Sequence, residues 1–280
     1  GYLALSAETT GSNNTAVGYA ALRSLNNEYQ AYNTAVGSDV GKDITTGVYN
    51  TIVGGLAGDA LTVGSNNTAI GFKALSTEDS YGTNTAIGAY ALEDLNANQN
   101  AYNVAVGYEA GKEMTTGTFN SILGGFAGDA LTVGSYNVAM GYAALSAEDD
   151  HGKNIAIGYL ALLTQDAGAD AYNVEIGYEV ARNITTGIKN VTVGAFAGDA
   201  ITTGGENIAI GYASLSTEDG HGKNIAIGTN ALQTQNAGPN AYNIAIGHDS
   251  GKSITTGIQN TIIGGLAGDA LTRGSYNVAL

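Results

Sequence analysis

The chain has 280 residues with 42 Gly, 1 Pro, no Cys and no Trp, 12% charged residues and a formal net charge of -15. The acidic balance argues against nucleic acid or an anionic membrane surface as partner, the lack of Cys excludes disulfides and thiolate metal sites, and no apolar run is long enough to span a membrane. At 44% apolar residues the chain is too hydrophobic to stay disordered, and its abundant Gly, Ala, Asn and Thr suit closely spaced backbones and a thin core.

In chain order, one five-residue motif organises the sequence: Asn, a small or β-branched residue, a mostly small residue, an aliphatic residue, Gly. Its asparagines are Asn14, Asn33, Asn50, Asn67, Asn84, Asn103, Asn120, Asn137, Asn154, Asn173, Asn190, Asn207, Asn224, Asn243, Asn260 and Asn277. The steps between them run 19, 17, 17 and 17 and then repeat, so four motifs make a 70-residue super-repeat, and the chain holds four of these: 1–70, 71–140, 141–210 and 211–280. The first motif of each period continues into the longer unit, ending Ala-Tyr at Tyr32, Tyr102, Tyr172 and Tyr242. The second carries a Thr-Thr-Gly turn, as at Thr45 to Gly47. The third carries Ala-Gly-Asp-Ala with Asp59, Asp129, Asp199 and Asp269, and the fourth an acidic turn, Glu78-Asp79, Glu148-Asp149 and Glu218-Asp219. The chain begins and stops in phase with this period, which predicts one solenoid segment over 1–280, cut from a longer repetitive protein.

Each motif predicts one short strand. β-branched residues follow the Asn in nearly every copy, an aliphatic residue always stands two positions later, and these share a strand face. A strand every 17 to 19 residues, closed by Gly, is one rung of an all-β parallel solenoid of about 16 rungs. The two flanking columns are expected to face the rung's own core. The column between them is Ala in eleven copies and Ile in Ile52, Ile122 and Ile262, with Glu175 and Thr192 as exceptions. It is expected to point away and, being apolar, to be covered by another strand layer or another chain. The asparagines are expected to stack as a ladder, and the Gly after each strand to take a conformation closed to other residues.

Units such as Asn67-Thr-Ala-Ile-Gly and Asn154-Ile-Ala-Ile-Gly, separated by Gly/Thr/Asn-rich turns, resemble the head repeats of trimeric autotransporter adhesins and, equally, the Asn-Thr-Ala-Ile-Gly repeats of phage tail-fibre proteins. The resemblance covers the whole chain. It implies a left-handed parallel β-roll, three chains wound about one axis as a homotrimer, an extracellular place on a cell surface or virion, and attachment to a receptor or glycan. The adhesin repeat is usually shorter than the 17 and 19 residues found here, so one turn per rung is expected to be enlarged.

The residues predict no enzyme. The acidic turn carries His151 and His221 where other periods have Gly11 and Tyr81, which is no pattern for a catalytic residue, and with His248 as the third His and no Cys a transition-metal site is not expected. No nucleophile elbow, phosphate loop or zinc-protease motif is present. No cofactor is expected. Asp59, Asp129, Asp199 and Asp269 read as turn-formers bonding nearby amides, with a shared Ca²⁺ as the competing reading. Glu78-Asp79 and its equivalents read as a solvated turn, Lys42, Lys112, Arg182 and Lys252 as surface ion-pair partners, and Arg182 as the compensating charge for Glu175. Tyr29, Tyr49 and Tyr81 are candidate glycan contacts. The alternative to an adhesive or spacing fibre is a monomeric ice- or Ca²⁺-binding solenoid. Ice binding needs a Thr row, and the Thr column after the motif Asn turns to Val and Ile from the second period onward. A hexapeptide acyltransferase fails because Asp59 stands six residues after Val53, where an aliphatic residue is required.

Overall fold

A computed structural model describes residues 1–238 and 240–280. They form two compact units, Gly1–Asn137 and Val138–Leu280. In the first, the motifs give β1 (Thr15–Val17), β2 (Thr34–Val36), β3 (Thr51–Val53), β4 (Thr68–Ile70), β5 (Thr85–Ile87), β6 (Val104–Val106) and β7 (Ser121–Leu123). In the second they give β8 (Val138–Met140), β9 (Ile155–Ile157), β10 (Val174–Ile176), β11 (Val191–Val193), β12 (Ile208–Ile210), β13 (Ile225–Ile227), β14 (Ile244–Ile246), β15 (Thr261–Ile263) and β16 (Val278–Ala279). Within each unit every strand lies parallel to the next, motif position over motif position, as in Thr34↔Thr51 and Val174↔Val191. The chain is an all-β parallel solenoid, and no described residue is helical. The 19-residue units keep the same register (Thr85↔Val104), so their two extra residues are absorbed outside the strands.

The inside and the outside of the strands are the reverse of the sequence expectation. The middle residues are the buried ones: Ala35, Ile52, Ala69, Ala105, Ala156 and Ala209 have essentially no exposed surface. The flanking Thr, Val and Ile columns face outward; Val17 is 55% exposed, Val104 44% and Leu123 46%. The reason is the width of the coil. Leu22, Leu25, Ile44, Leu61, Leu75, Leu92 and Leu95 reach inward from the turns, and beneath the strand there is room only for a methyl group or one larger side chain per turn. The columns share that room. Where the strand carries Ile52, Ile122 or Ile262, the turn behind it carries Gly58, Gly128 or Gly268. Where the strand carries Ala16, Ala69 or Ala86, the turn carries Leu22, Leu75 or Leu92. A Cβ on Gly58 would stand 2.9 Å from Leu61 Cδ1 and 3.2 Å from Ile52 Cδ1. Where both columns are small, as at Ala35 and Gly41, Leu22 and Ile52 of the adjacent turns fill the space, so the packing is a jigsaw between turns as well as within them.

The Gly that closes each motif does adopt a backbone closed to other residues. Gly107 has φ +145°, and a Cβ there would fall 2.3 Å from the carbonyl oxygen of Gly124 in the next turn. The turns contain a feature the sequence does not announce: bulky residues in the left-handed region, among them Leu92 (φ 50°), Tyr102 (φ 53°) and Glu109 (φ 54°). Each such residue carries strain of about 1 kcal/mol or more. It is offset by hydrogen bonds between turns, such as Leu92 N to Ala110 O (3.1 Å) and Glu109 N to Ala89 O (3.0 Å).

Candidate functional site

Three sets of residues could carry function: the polar ladder inside the coil, the acidic turns, and the outward strand face. The ladder is built by the motif asparagines. In each unit the backbone N–H of one motif Asn donates to the side-chain Oδ1 of the Asn before it, at 2.8–3.2 Å. The side-chain Nδ2 turns to a carbonyl fourteen residues on, as in Asn103 to Gly117 O (2.7 Å) and Asn190 to Gly204 O (2.9 Å). Asn33 through Asn260 are all buried, whereas Asn14 and Asn277, at the two ends, are not. The bonds therefore run from amide to backbone; side-chain amides meet each other at only a few steps, such as Asn260 Nδ2 to Asn243 Oδ1 (3.1 Å). This ladder holds the turns together and, from Asn33 to Asn260, is shielded from solvent.

The four aspartates of the third motif recur once per period. Among the described residues, none of them belongs to a trio of His, Asp or Glu ligand atoms within 4.8 Å. Asp59 instead receives Lys42 Nζ at 2.7 Å. Asp129 and Asp199 are half-buried, which pushes their carboxyls up, Asp129 to about 6, and Asp269 is exposed. The basic column pairs with neighbouring acids: Lys42 with Asp59, Arg182 with Glu179 (2.9 Å) and Lys252 with Asp249 (3.4 Å). These pairs are partly open to water, so Lys42→Ala should change unfolding free energy by less than about 1 kcal/mol in urea titration.

The acidic turn differs from its expected solvated form. Glu78, Glu148 and Glu218 are fully buried, each occupying the column that holds Leu25, Ile44 and Leu61 in other turns. They act as acceptors for the turn backbone. Glu78 takes the N–H of Tyr81 (3.2 Å) and of Ala97 (3.3 Å), and Glu218 that of His221 (3.2 Å). Burial raises all three carboxyls, Glu148 and Glu218 to about 7. His151 and His221, set aside by sequence, lie beside these carboxylates, with Nδ1 3.8 Å from Glu148 Oε1 and 3.5 Å from Glu218 Oε1.

The proposed Glu175–Arg182 pair is not formed. Glu175 points into the core from β10, fully buried, and Arg182 turns to Glu179 instead. The Thr192 hydroxyl, one strand on, donates to Glu175 Oε2, while Oε1 has no partner. With no cation beside it, burial drives this carboxyl far above its ordinary range.

The outward face of the strands is uncharged, and it is more apolar in the second unit than in the first. Across β1–β7 it presents Thr15, Thr34, Thr51, Thr68 and Thr85, then Val104 and Ser121, beside a second row from Val17 to Leu123. Across β8–β16 both rows are almost wholly Val and Ile, with Met140 and Thr261 among them. Neither row contains a charged residue. Aromatic ladders flank it: Tyr102, Phe119 and Tyr136 stack at 5.2–5.4 Å in the first unit, and Tyr142, Tyr159 and Tyr178 at 5.1–5.7 Å in the second. Tyr29 and Tyr49 line a groove of 480 Å³ with Thr10, Ser12, Glu28, Gln30 and Tyr32; Tyr81 lies apart in the acidic turn. Among the described residues no helix is long and apolar enough to cross a membrane.

The fold and these surfaces define a β-solenoid repeat protein. No known family, no curated protein and no solved structure matches the chain.

Proposed function

We propose that this chain is a structural segment of an extracellular fibre, on a cell surface or virion, that assembles with copies of itself, as a homotrimer, and serves attachment or spacing without catalysis. One observation carries the reading: across β8–β16 both outward rows of the strand face are almost wholly Val and Ile. A solvated strand face normally bears Thr, Lys or Glu, and apolar patches of this extent mark interaction surfaces. Its spacing repeats with every turn, so the partner best matched to it is another copy with the same spacing. The apolar core and tyrosine margins have the composition of an interface. The groove around Tyr29 and Tyr49 offers aromatic faces, hydroxyls and one carboxylate, chemistry suited to a neutral glycan.

The mass of the particle tests this. Three copies of the 28.2 kDa chain give about 85 kDa. Val104→Lys with Val106→Lys puts two charges on the outward face of β6 and should return the particle to 28.2 kDa with an unchanged circular-dichroism spectrum. A native chain that sediments as a single copy removes the assembly reading.

One observation favours a second reading. Thr15, Thr34, Thr51, Thr68 and Thr85 stand outward in five successive turns, each two residues before an outward Val or Ile. That is a regular array fit to order water, as an ice-binding face requires. Thermal hysteresis in the single-copy form, lost on Thr51→Lys, would establish it; no freezing-point gap at any concentration would remove it.

A further inference from the structure

The acidic turns of the third and fourth periods add to the turn-capping Glu an imidazole that neither the fold nor fibre assembly uses. Glu218, Asp219 and His221 bring one ligand atom each within 4.8 Å of the others, and Glu148, Asp149 and His151 repeat this one period earlier. We propose that each trio is a binding site for a divalent transition-metal ion of the zinc class.

The separations carry the argument. His221 Nδ1 stands 3.5 Å from Glu218 Oε1 and 4.0 Å from Asp219 Oδ1, and His151 Nδ1 stands 3.8 Å from Glu148 Oε1. Hydrogen bonds between such atoms close to about 2.7–3.2 Å, so these pairs are too far apart to bond one another. Tetrahedral ligands at about 2.1 Å from zinc stand roughly 3.4 Å from each other, a spacing that His221 and Glu218 meet at 3.5 Å and that the other pairs approach within about 0.6 Å.

A second observation is independent of the distances. His221 Nδ1 is shielded from water and has no hydrogen-bond partner. Buried polar atoms are ordinarily satisfied, and a cation between this imidazole and the buried Glu218 carboxylate satisfies it. The turn is already fixed in place: Thr202 donates to Asp219 O through N (2.6 Å) and Oγ1 (2.9 Å), and Glu218 Oε1 accepts the N–H of His221. The ligands are therefore preorganised. His221 is about one-third exposed, which leaves an entry path and room for water as a fourth ligand.

The chain contains its own control. The buried Glu recurs in the second period as Glu78, where it caps the same turn, but Tyr81 occupies the position of the His. The Glu alone is thus a structural feature, and the His is what the later periods add. One imidazole with two carboxylates suits zinc, cobalt or nickel ahead of calcium, which takes six to eight oxygens.

The test uses the full chain, stripped with chelator and titrated calorimetrically with ZnCl₂ alone, then with CoCl₂ read by visible absorption. Two ions per chain are expected in the micromolar range, with Co²⁺ giving the intense bands of a four-coordinate site. His221→Tyr should leave one ion and His151→Tyr/His221→Tyr none. Tyr at this position is already tolerated in the second period, so the fold should persist by circular dichroism. Absence of binding by the native chain, or two ions still bound by the double variant, overturns the proposal.

Discussion

Asn190→Ala should cost about 4 kcal/mol of unfolding free energy in the second unit, a large loss for an uncharged side chain. Asn190 Nδ2 donates to Gly204 O at 2.9 Å, and its Oδ1 accepts the N–H of Asn207 at 3.0 Å. Truncation leaves that carbonyl and that N–H buried and orphaned, at about 1–3 kcal/mol each, and adds a small cavity. Asn190→Asp separates the two roles. It keeps the acceptor for Asn207 but sets an oxygen against Gly204 O, so it should destabilise at neutral pH at least as much as Ala. Urea unfolding gives the free energy, and hydrogen exchange at the Asn207 amide locates it. A loss under about 1 kcal/mol for Asn190→Ala would mean that the ladder is a consequence of the stacking and not one of its causes.

The location of the strands was legible because the sequence punctuates them. Every strand begins directly after a motif Asn, and motif residues lie over motif residues, as the 17- and 19-residue spacing implies. Which face points inward was not legible from residue size. Val17 and Ile70 are larger and more apolar than Ala16 and Ala69, and in a thick core they would be inside. In a narrow coil the turns supply the bulk, through Leu22 and Leu75, and the strand supplies the methyl group. The signal lay between columns: Ile52 with Gly58 and Ala69 with Leu75 trade volume within a turn, which only residues sharing one interior need to do. The same comparison applies to Glu78, which falls in the column of Leu25, Ile44 and Leu61 and is buried like them. The left-handed turns were not legible, because Leu92 and Tyr102 have no intrinsic preference for that backbone and are held there by bonds between turns.

That volume rule makes the third period the weak point of the coil. In the other periods the second strand carries Ala35, Ala105 or Ala245 with Gly41, Gly111 or Gly251 behind it, and the third carries Ile52, Ile122 or Ile262. Here the same places hold Glu175, Ala181 and Thr192, so a carboxyl fills space that an Ile fills elsewhere. The triple variant Glu175→Ala, Ala181→Gly, Thr192→Ile restores the common pattern and should stabilise the second unit. Replacing a buried polar pair by matched apolar residues is worth about 1 kcal/mol or more. A further part of the gain depends on pH. A carboxyl raised on folding binds its proton more tightly in the native state, so its contribution is complete below the unfolded value near 4.5 and is lost as pH rises toward the folded value. Each pH unit in that window weakens the native chain by about 1.4 kcal/mol. The variant lacks this loss. Its advantage should therefore be larger at pH 7.5 than at pH 5, with the melting temperature rising by roughly 3 °C per kcal/mol gained. Glu175→Ala alone should gain less, since it leaves a cavity beside a Thr192 hydroxyl deprived of its acceptor. Calorimetry of both variants against the native chain at the two pH values decides the matter. An advantage that stays constant with pH would mean that Glu175 is ionised inside the coil, and the carboxyl would then need a cation that its surroundings do not provide.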